Sequence, residues 1–110
     1  MDILIKKDGE VTVFSISGRL DTTTSPELEK EIGEWVDKGE TTIGMDMAGL
    51  DYISSAGLRV ILAAAKKLRS RNGKIFLAGL KKPVMEVFKI SGFDAIIPIF
   101  DNIEAAREKI

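Results

Sequence analysis

The chain has 110 residues, of which 45% are hydrophobic and 30% charged, and it carries a net charge of -1 with neither cysteine nor histidine. That balance describes one ordinary globular domain, residues 1–110, with no electrostatic footing for nucleic acid or an anionic membrane. Without cysteine there is no disulfide or thiolate chemistry, and without histidine the usual general base and the commonest metal ligand are gone.

Residues 3–7 and 10–17 are rich in β-branched side chains and bracket Asp8-Gly9, a pair suited to a tight turn. They predict an opening antiparallel hairpin. Gly18-Arg19-Leu20-Asp21 and Thr22, Thr23 and Thr24 then form a polar stretch that reads as a loop, either capping or ligand-facing. Ser25-Pro26-Glu27 opens a helix with a cap residue, a proline at the first helical position and an acid in the first turn. Leu28, Ile32, Trp35 and Val36 make its inward stripe, with Trp35 as core or rim packing, and Lys38-Gly39 closes it.

Thr42 to Met47 is short, apolar and flanked by turn residues, as a buried parallel strand would be. A short turn follows, and Leu58, Ile61, Leu62, Ala65 and Leu68 then fall at helical spacing. Lys66, Lys67, Arg69 and Arg71 suit the negative end of that helix, and Asn72-Gly73 stops it. Residues 73–79 form a second continuous apolar strand. Pro83 starts a third helix with Val84, Val87 and Phe88 inward, ended by Ser91-Gly92. Residues 95–99 read as a short strand, with Pro98 placing it at an edge. Asp101, with Glu104 three residues later, caps a last helix running through Ile110. The fold class is α/β: a mixed, mostly parallel sheet of about five strands, an N-terminal hairpin and about four helices.

Ser54 and Ser55 stand at the start of the central helix, where four backbone N–H groups lack intrahelical partners. A hydroxyl there can cap the helix, and an anion there meets the positive end of the dipole. Both readings, simple cap and phosphoryl-bearing serine, fit the local residues. Ligands on such sheets sit at the carboxyl ends of the strands, where this turn lies.

Catalytic readings lack their parts. A serine hydrolase without histidine needs a Ser-Lys pair, and Lys66 and Lys67 are about three helical turns from Ser55. There is no nucleophile elbow and no Walker-type loop. Asp21, Asp46 and Asp51 read as solvated acids, not a magnesium site. The chain is expected to be no enzyme, to need no cofactor and to hold no metal. The longest apolar run, residues 60–65, is too short to cross a bilayer, and residues 1–7 lack a signal-peptide plan. A cytoplasmic location is expected.

Tyr52-Ile53-Ser54-Ser55-Ala56-Gly57-Leu58, preceded by Asp46 and by Gly18-Arg19-Leu20-Asp21, resembles the STAS domain of bacterial anti-sigma-factor antagonists over nearly the whole chain. The family motif reads aromatic–apolar–Asp–Ser–Ser/Thr/Ala–Gly–Leu, and its phosphorylated serine falls on Ser55. Its aspartate falls on Ser54, a departure that leaves a neutral hydroxyl beside the acceptor. The resemblance implies that the unmodified protein binds an anti-sigma factor with serine kinase activity, that a sigma factor is thereby released, and that phosphorylation of Ser55 breaks the complex. A phosphatase would restore it. On this reading neither nucleic acid nor membrane is a direct partner. Asp21, Thr22, Ser54, Ala56, Gly57 and Arg59 would lie beside the phosphosite or on the docking surface. Asp21 would orient the acceptor or repel the phosphoserine, its alternative being a plain turn residue. Gly57 would allow close approach in the first turn. A phosphorylation-independent scaffold subunit of a signalling assembly and a small-ligand-binding STAS module are the alternative functions.

Overall fold

In a computed structural model, residues 1–109 are described. Strand β1 (Asp2–Asp8) turns through Gly9-Glu10 into β2 (Val11–Leu20), and the two pair antiparallel from Asp2↔Ser17 to Asp8↔Val11. Gly9 takes a φ of +64°, the left-handed geometry that suits the right-handed twist of a hairpin. The turn is therefore centred one residue later than Asp8-Gly9. Chain order then runs α1 (Ser25–Asp37), β3 (Thr42–Ile53), α2 (Ser55–Ser70), β4 (Lys74–Ala78), α3 (Lys82–Ser91), a 3₁₀ turn at Phe93–Ala95, β5 (Ile99–Phe100) and α4 (Ile103–Lys109). The sheet order is β1-β2-β3-β4-β5, parallel from β2 onward, as the mixed α/β reading expects.

Alternation along the strands divides two apolar clusters between the sheet's faces. Phe14 and Ile16 of β2, Ile43, Met45 and Met47 of β3, and Ile75 and Leu77 of β4 point to one side. There they meet Leu28, Ile32 and Val36 of α1, Val60, Ile61, Ala64 and Leu68 of α2, and Val84 and Phe88 of α3. The intervening residues Val11, Val13 and Phe76 point the other way, against Ile103 and Ala106 of α4, with Phe76 edge-on to Phe100 at 6.1 Å between ring centres.

Several expectations need correction. β3 does not stop near Met47 but runs to Ile53, because β2 also continues through Leu20 and keeps pairing with it after two register shifts, at Ser15/Ser17 and Gly18/Arg19. So Gly18-Arg19-Leu20 is strand, and the polar loop begins at Asp21. The last apolar run, residues 95–99, is mostly not strand. Only Ile99 and Phe100 pair with β4, while Ile97 plugs the core. Ser25 is the first residue of α1, and Thr24 holds the cap position. Asn102, not Asp101, caps α4, its Oδ1 accepting from the Ala105 N–H at 2.7 Å. Ile110 lies outside the described residues. The inward face of α2 is Gly57, Val60, Ile61, Ala64, Ala65 and Leu68, with Leu58 and Leu62 only half-buried. Ile61, Ala65 and Leu68 lie inward as expected, and the stripe is centred on the side of Gly57, Val60 and Ala64 and not on that of Leu58 and Leu62. Trp35 is half-buried at the rim, with the Lys38 ammonium 4.9 Å from its ring centre.

Candidate functional site

Two strand ends build the site. Beyond Asp46↔Ala78, β3 leaves β4 and pairs only with β2, ending at Leu20↔Ile53. The Ser54 N–H then donates to the Leu20 carbonyl at 2.9 Å, which fixes the entry of α2 directly beside the loop that follows β2. Asp21 and Ser54 are thus brought together as the residues next after a paired Leu20 and Ile53.

The adjacent serines have different environments. Ser54 is extended (φ -97°, ψ 174°) and half-buried, and its Oγ accepts from the Gly57 N–H at 3.3 Å, so Ser54 is the N-cap. Ser55 is the first helical residue, exposed, and its hydroxyl makes no hydrogen bond among the described residues. The reading of Ser55 as a possible cap is corrected: the cap is already taken. A free hydroxyl at a helix N-terminus, beside unsatisfied backbone N–H groups, can accept a phosphoryl group without losing an internal bond.

Gly57 is buried for a steric reason. A Cβ there would stand 2.7 Å from Leu20 Cγ and 2.9 Å from Ile53 Cγ1, both on buried side chains. The close approach is thus of helix backbone to the side chains at the two strand ends. Arg59 is exposed and Ala56 half-buried; with Thr22, Pro26 and Lys66 they line an open groove of about 610 Å³ between α1 and α2.

Asp21 closes its own loop. Its Oδ1 accepts from the Thr23 N–H at 3.0 Å and the Thr24 N–H at 3.1 Å, and its carbonyl accepts from the Ser25 N–H at 2.8 Å and the Ser25 hydroxyl at 2.5 Å. The Thr24 hydroxyl lies 3.2 Å from Oδ1 and 2.8 Å from the Arg19 carbonyl, and it accepts from the Asp21 N–H at 2.9 Å. The Thr24 backbone N–H, chiefly, with the Thr24 hydroxyl, the Thr23 N–H and the Arg19 charge, holds the carboxyl below its ordinary range against a smaller opposing effect of desolvation. The turn role anticipated as Asp21's alternative is real.

Arg19 is a site residue that the sequence reading did not single out. Its guanidinium carbon lies 4.1 Å from the Tyr52 ring centre, and its Nε is 3.8 Å from Asp21 Oδ2. The signal was the pairing of the two quoted motifs, since Arg19 sits opposite Tyr52 in the parallel register. The other acids near the strand ends are engaged elsewhere. Asp51 pairs with Lys81 at 2.5 Å, and Asp46 Oδ1 accepts from the Ala48 N–H at 3.1 Å.

Three expected outcomes test this geometry. Ser54→Ala, which removes the cap, should cost about 1 kcal/mol in denaturant unfolding, while Ser55→Ala should stay within about 0.5 kcal/mol of the wild type; the reverse order would reassign the cap. Gly57→Ala gains up to about 1 kcal/mol of helix propensity but overpacks a closed site at a cost of about 1–3 kcal/mol, so a net loss is expected, and any stabilisation would show that Leu20 and Ile53 yield. Asn at position 21 keeps the accepting oxygen and loses the charge. Because the folded carboxyl titrates below its unfolded value, its stabilisation is present above the ordinary carboxylate range and is lost as pH falls through the folded value. The stability gap between wild type and Asp21→Asn should therefore close on acidification, and a gap that is constant with pH would contradict the charge-assisted loop.

A family profile described as the STAS domain matches residues 2–106. The chain is 42% identical over 106 residues, 96% of its length and 91% of the relative's, to BtrV of Bordetella bronchiseptica, provisionally named an anti-sigma factor antagonist. It is 30% identical over 104 residues, 94% of this chain and 90% of the other, to the anti-sigma-B factor antagonist of Listeria monocytogenes. Among solved structures, a Thermotoga maritima protein provisionally described as an anti-sigma factor antagonist superposes with a TM-score of 0.94 at 24% identity, covering 98% of this chain and 93% of that one. The Bacillus cell fate determinant SpoIIAA in its phosphorylated form superposes with a TM-score of 0.78 at 21% identity, covering 98% of each chain. The strand order, the serine turn and these likenesses agree: the chain belongs to the STAS domain family, among the anti-sigma factor antagonists.

Proposed function

We propose that this chain is a phosphorylation-switched anti-sigma-factor antagonist. Its unmodified form docks an anti-sigma factor that also acts as its serine kinase, so that a sigma factor is freed, and phosphorylation of Ser55 ends the docking. One observation carries the reading: Ser55 offers an exposed, unbonded hydroxyl at the first position of α2, while its neighbour Ser54 is spent as the cap. SpoIIAA, which shares the fold, exists in a phosphorylated form, and that lends support.

The switch acts by local electrostatics. A phosphoserine adds about -1.5 to -2 charges and three acceptor oxygens. At a helix N-terminus that charge is favoured by the dipole, so the fold tolerates it. The cost falls on the interface, where the charge would have to be desolvated beside the Asp21 loop. Thr22, Ala56 and Arg59, on the groove between α1 and α2, would carry the docking contacts, with Gly57 and Ser54 holding the turn in place. A separate phosphatase would reset the protein.

The test uses an anti-sigma factor kinase from the same organism. Peptide mass spectrometry after incubation with ATP should find phosphate on Ser55 and none on Ser54. In titration calorimetry Ser55→Ala should bind like the wild type. Ser55→Asp should bind about ten- to hundredfold more weakly, at 1.4 kcal/mol per decade, and the phosphorylated protein more weakly still. Equal affinity for wild type and Ser55→Asp would reject the switch and put the phosphorylation-independent scaffold reading ahead.

A further inference from the structure

The sheet has two unlike edges. β5 contributes two residues preceded by Pro98, while β1 presents seven residues whose outer backbone groups face no other strand among the described residues. A long free edge is a ready template for another strand, and proteins usually guard it with charge or proline. β1 has no proline, and two of its four charges are already used inside the fold: Lys7 pairs with Glu40 and Asp8 with Arg107. Asp2 and Lys6 have no ion-pair partner among the described residues. They stand on the sheet face away from α1, α2 and α3, on either side of Leu4, whose relative exposure is 72%.

We propose that β1 pairs with β1 of a second copy of this chain, antiparallel about a two-fold axis through Leu4, joining the two sheets edge to edge. A two-fold axis perpendicular to the sheet places residues of one strand opposite residues of its mate with a constant, even sum of numbers, on the same face. Centring on Leu4 sets Asp2 against Lys6 of the mate twice over, Leu4 against Leu4, and Ile3 against Ile5. Other centres do worse. On Ile5, Asp2 meets Asp8 and Lys6 meets Leu4. On Lys6, two like ammonium groups collide. On Ile3, Leu4 meets Asp2 and the ladder shortens.

The backbone agrees with the Leu4 centre. A two-residue turn makes Asp8↔Val11 the closing, doubly hydrogen-bonded pair, so by alternation Lys6, Leu4 and Asp2 bond toward β2, and Ile3, Ile5 and Lys7 aim their N–H and C=O groups outward. Ile3 and Ile5 then exchange hydrogen bonds with the mate's Ile5 and Ile3. Leu4 meets Leu4 in the closer, non-hydrogen-bonded kind of pair, where its side chain finds the cover it lacks in the single chain. Ser55 lies beyond the ends of β2 and β3, not on this edge, so the pairing leaves the phosphosite of each copy free and does not depend on the proposed switch.

Sedimentation equilibrium on the whole chain at low salt should show a monomer–dimer equilibrium. Asp2→Lys and Lys6→Asp should each weaken it by at least about tenfold, since each sets two like-charged pairs in place of two opposite ones. The double exchange Asp2→Lys with Lys6→Asp recreates the pairs in reverse and should restore association, which a merely unfolded variant would not do. Leu4→Cys should give a disulfide-linked dimer under mild oxidation, the spacing of such a pair, about 4.5 Å between Cα atoms, lying within disulfide reach. Lys6→Cys should cross-link far more slowly. A wild-type chain that stays monomeric at millimolar concentration, a double exchange that fails to restore association with its circular dichroism unchanged, or equal cross-linking through positions 4 and 6 would each overturn the proposal.

Discussion

The site depends on how closely the first turn of α2 approaches the ends of β2 and β3. The hydrogen bond from the Ser54 N–H to the Leu20 carbonyl, 2.9 Å, closes the strand ladder and starts the helix in one step. It holds only if nothing projects from Gly57, because the space a Cβ would need is filled by Leu20 and Ile53. Those two side chains are buried in the main core, so a change at the turn is felt by packing far from solvent. In return the core fixes the direction of α2, and with it the outward pose of Ser55.

The hairpin, the parallel strands and the serine turn were legible in the chain because each has a local cause: period-two alternation, a continuous apolar run, a hydroxyl before an amphipathic helix. What escaped had causes remote in sequence. Ala48-Gly49-Leu50-Asp51-Tyr52 reads as turn by composition, yet it is strand because β2 continues beside it. Gly49 is required there by a neighbour 32 residues earlier, since a Cβ would meet Ser17 Cβ at 2.8 Å. By hydrophobic pattern the stripe of α2 begins at Leu58, the first large apolar residue. Its phase is set instead by Gly57, which has no side chain for a hydrophobic pattern to register. Residues 95–99 are apolar enough for a strand, but the chain leaves α3 through Gly92 in the left-handed region (φ +78°) and winds into a 3₁₀ turn. That leaves only Ile99 and Phe100 to pair with β4.

Asp21 organises its loop and, on the proposed switch, would serve the site as well. Its carboxylate organises Thr23 and Thr24 and, through its carbonyl, anchors Ser25 at the start of α1. The negative charge stands in the loop directly after Leu20, whose carbonyl receives the Ser54 N–H, because the loop needs it there. Arg19 partly offsets that charge and stacks on Tyr52, which ties the loop to the last residues of β3. The charges of the loop that follows Leu20 are therefore fixed by the same contacts that end β2. Altering Asp21 changes both, and only variants that keep the accepting oxygen separate the two effects.

A charge at the first position of a helix is welcome to the fold and unwelcome to a partner that must exclude water there. In a chain whose hydroxyl at that position were also its cap, modification would trade a structural bond for a signal, and the two consequences would be mixed. Here the functions are split between adjacent residues: Ser54 holds the helix and Ser55 holds nothing. A neutral serine, where the resemblance places an aspartate, accepts from the Gly57 N–H, so the capping geometry needs no charge. It also leaves one negative group fewer beside the acceptor. On the proposed switch, a phosphate on Ser55 would meet less repulsion within its own chain, and its electrostatic effect would fall on a partner docked against the groove between α1 and α2.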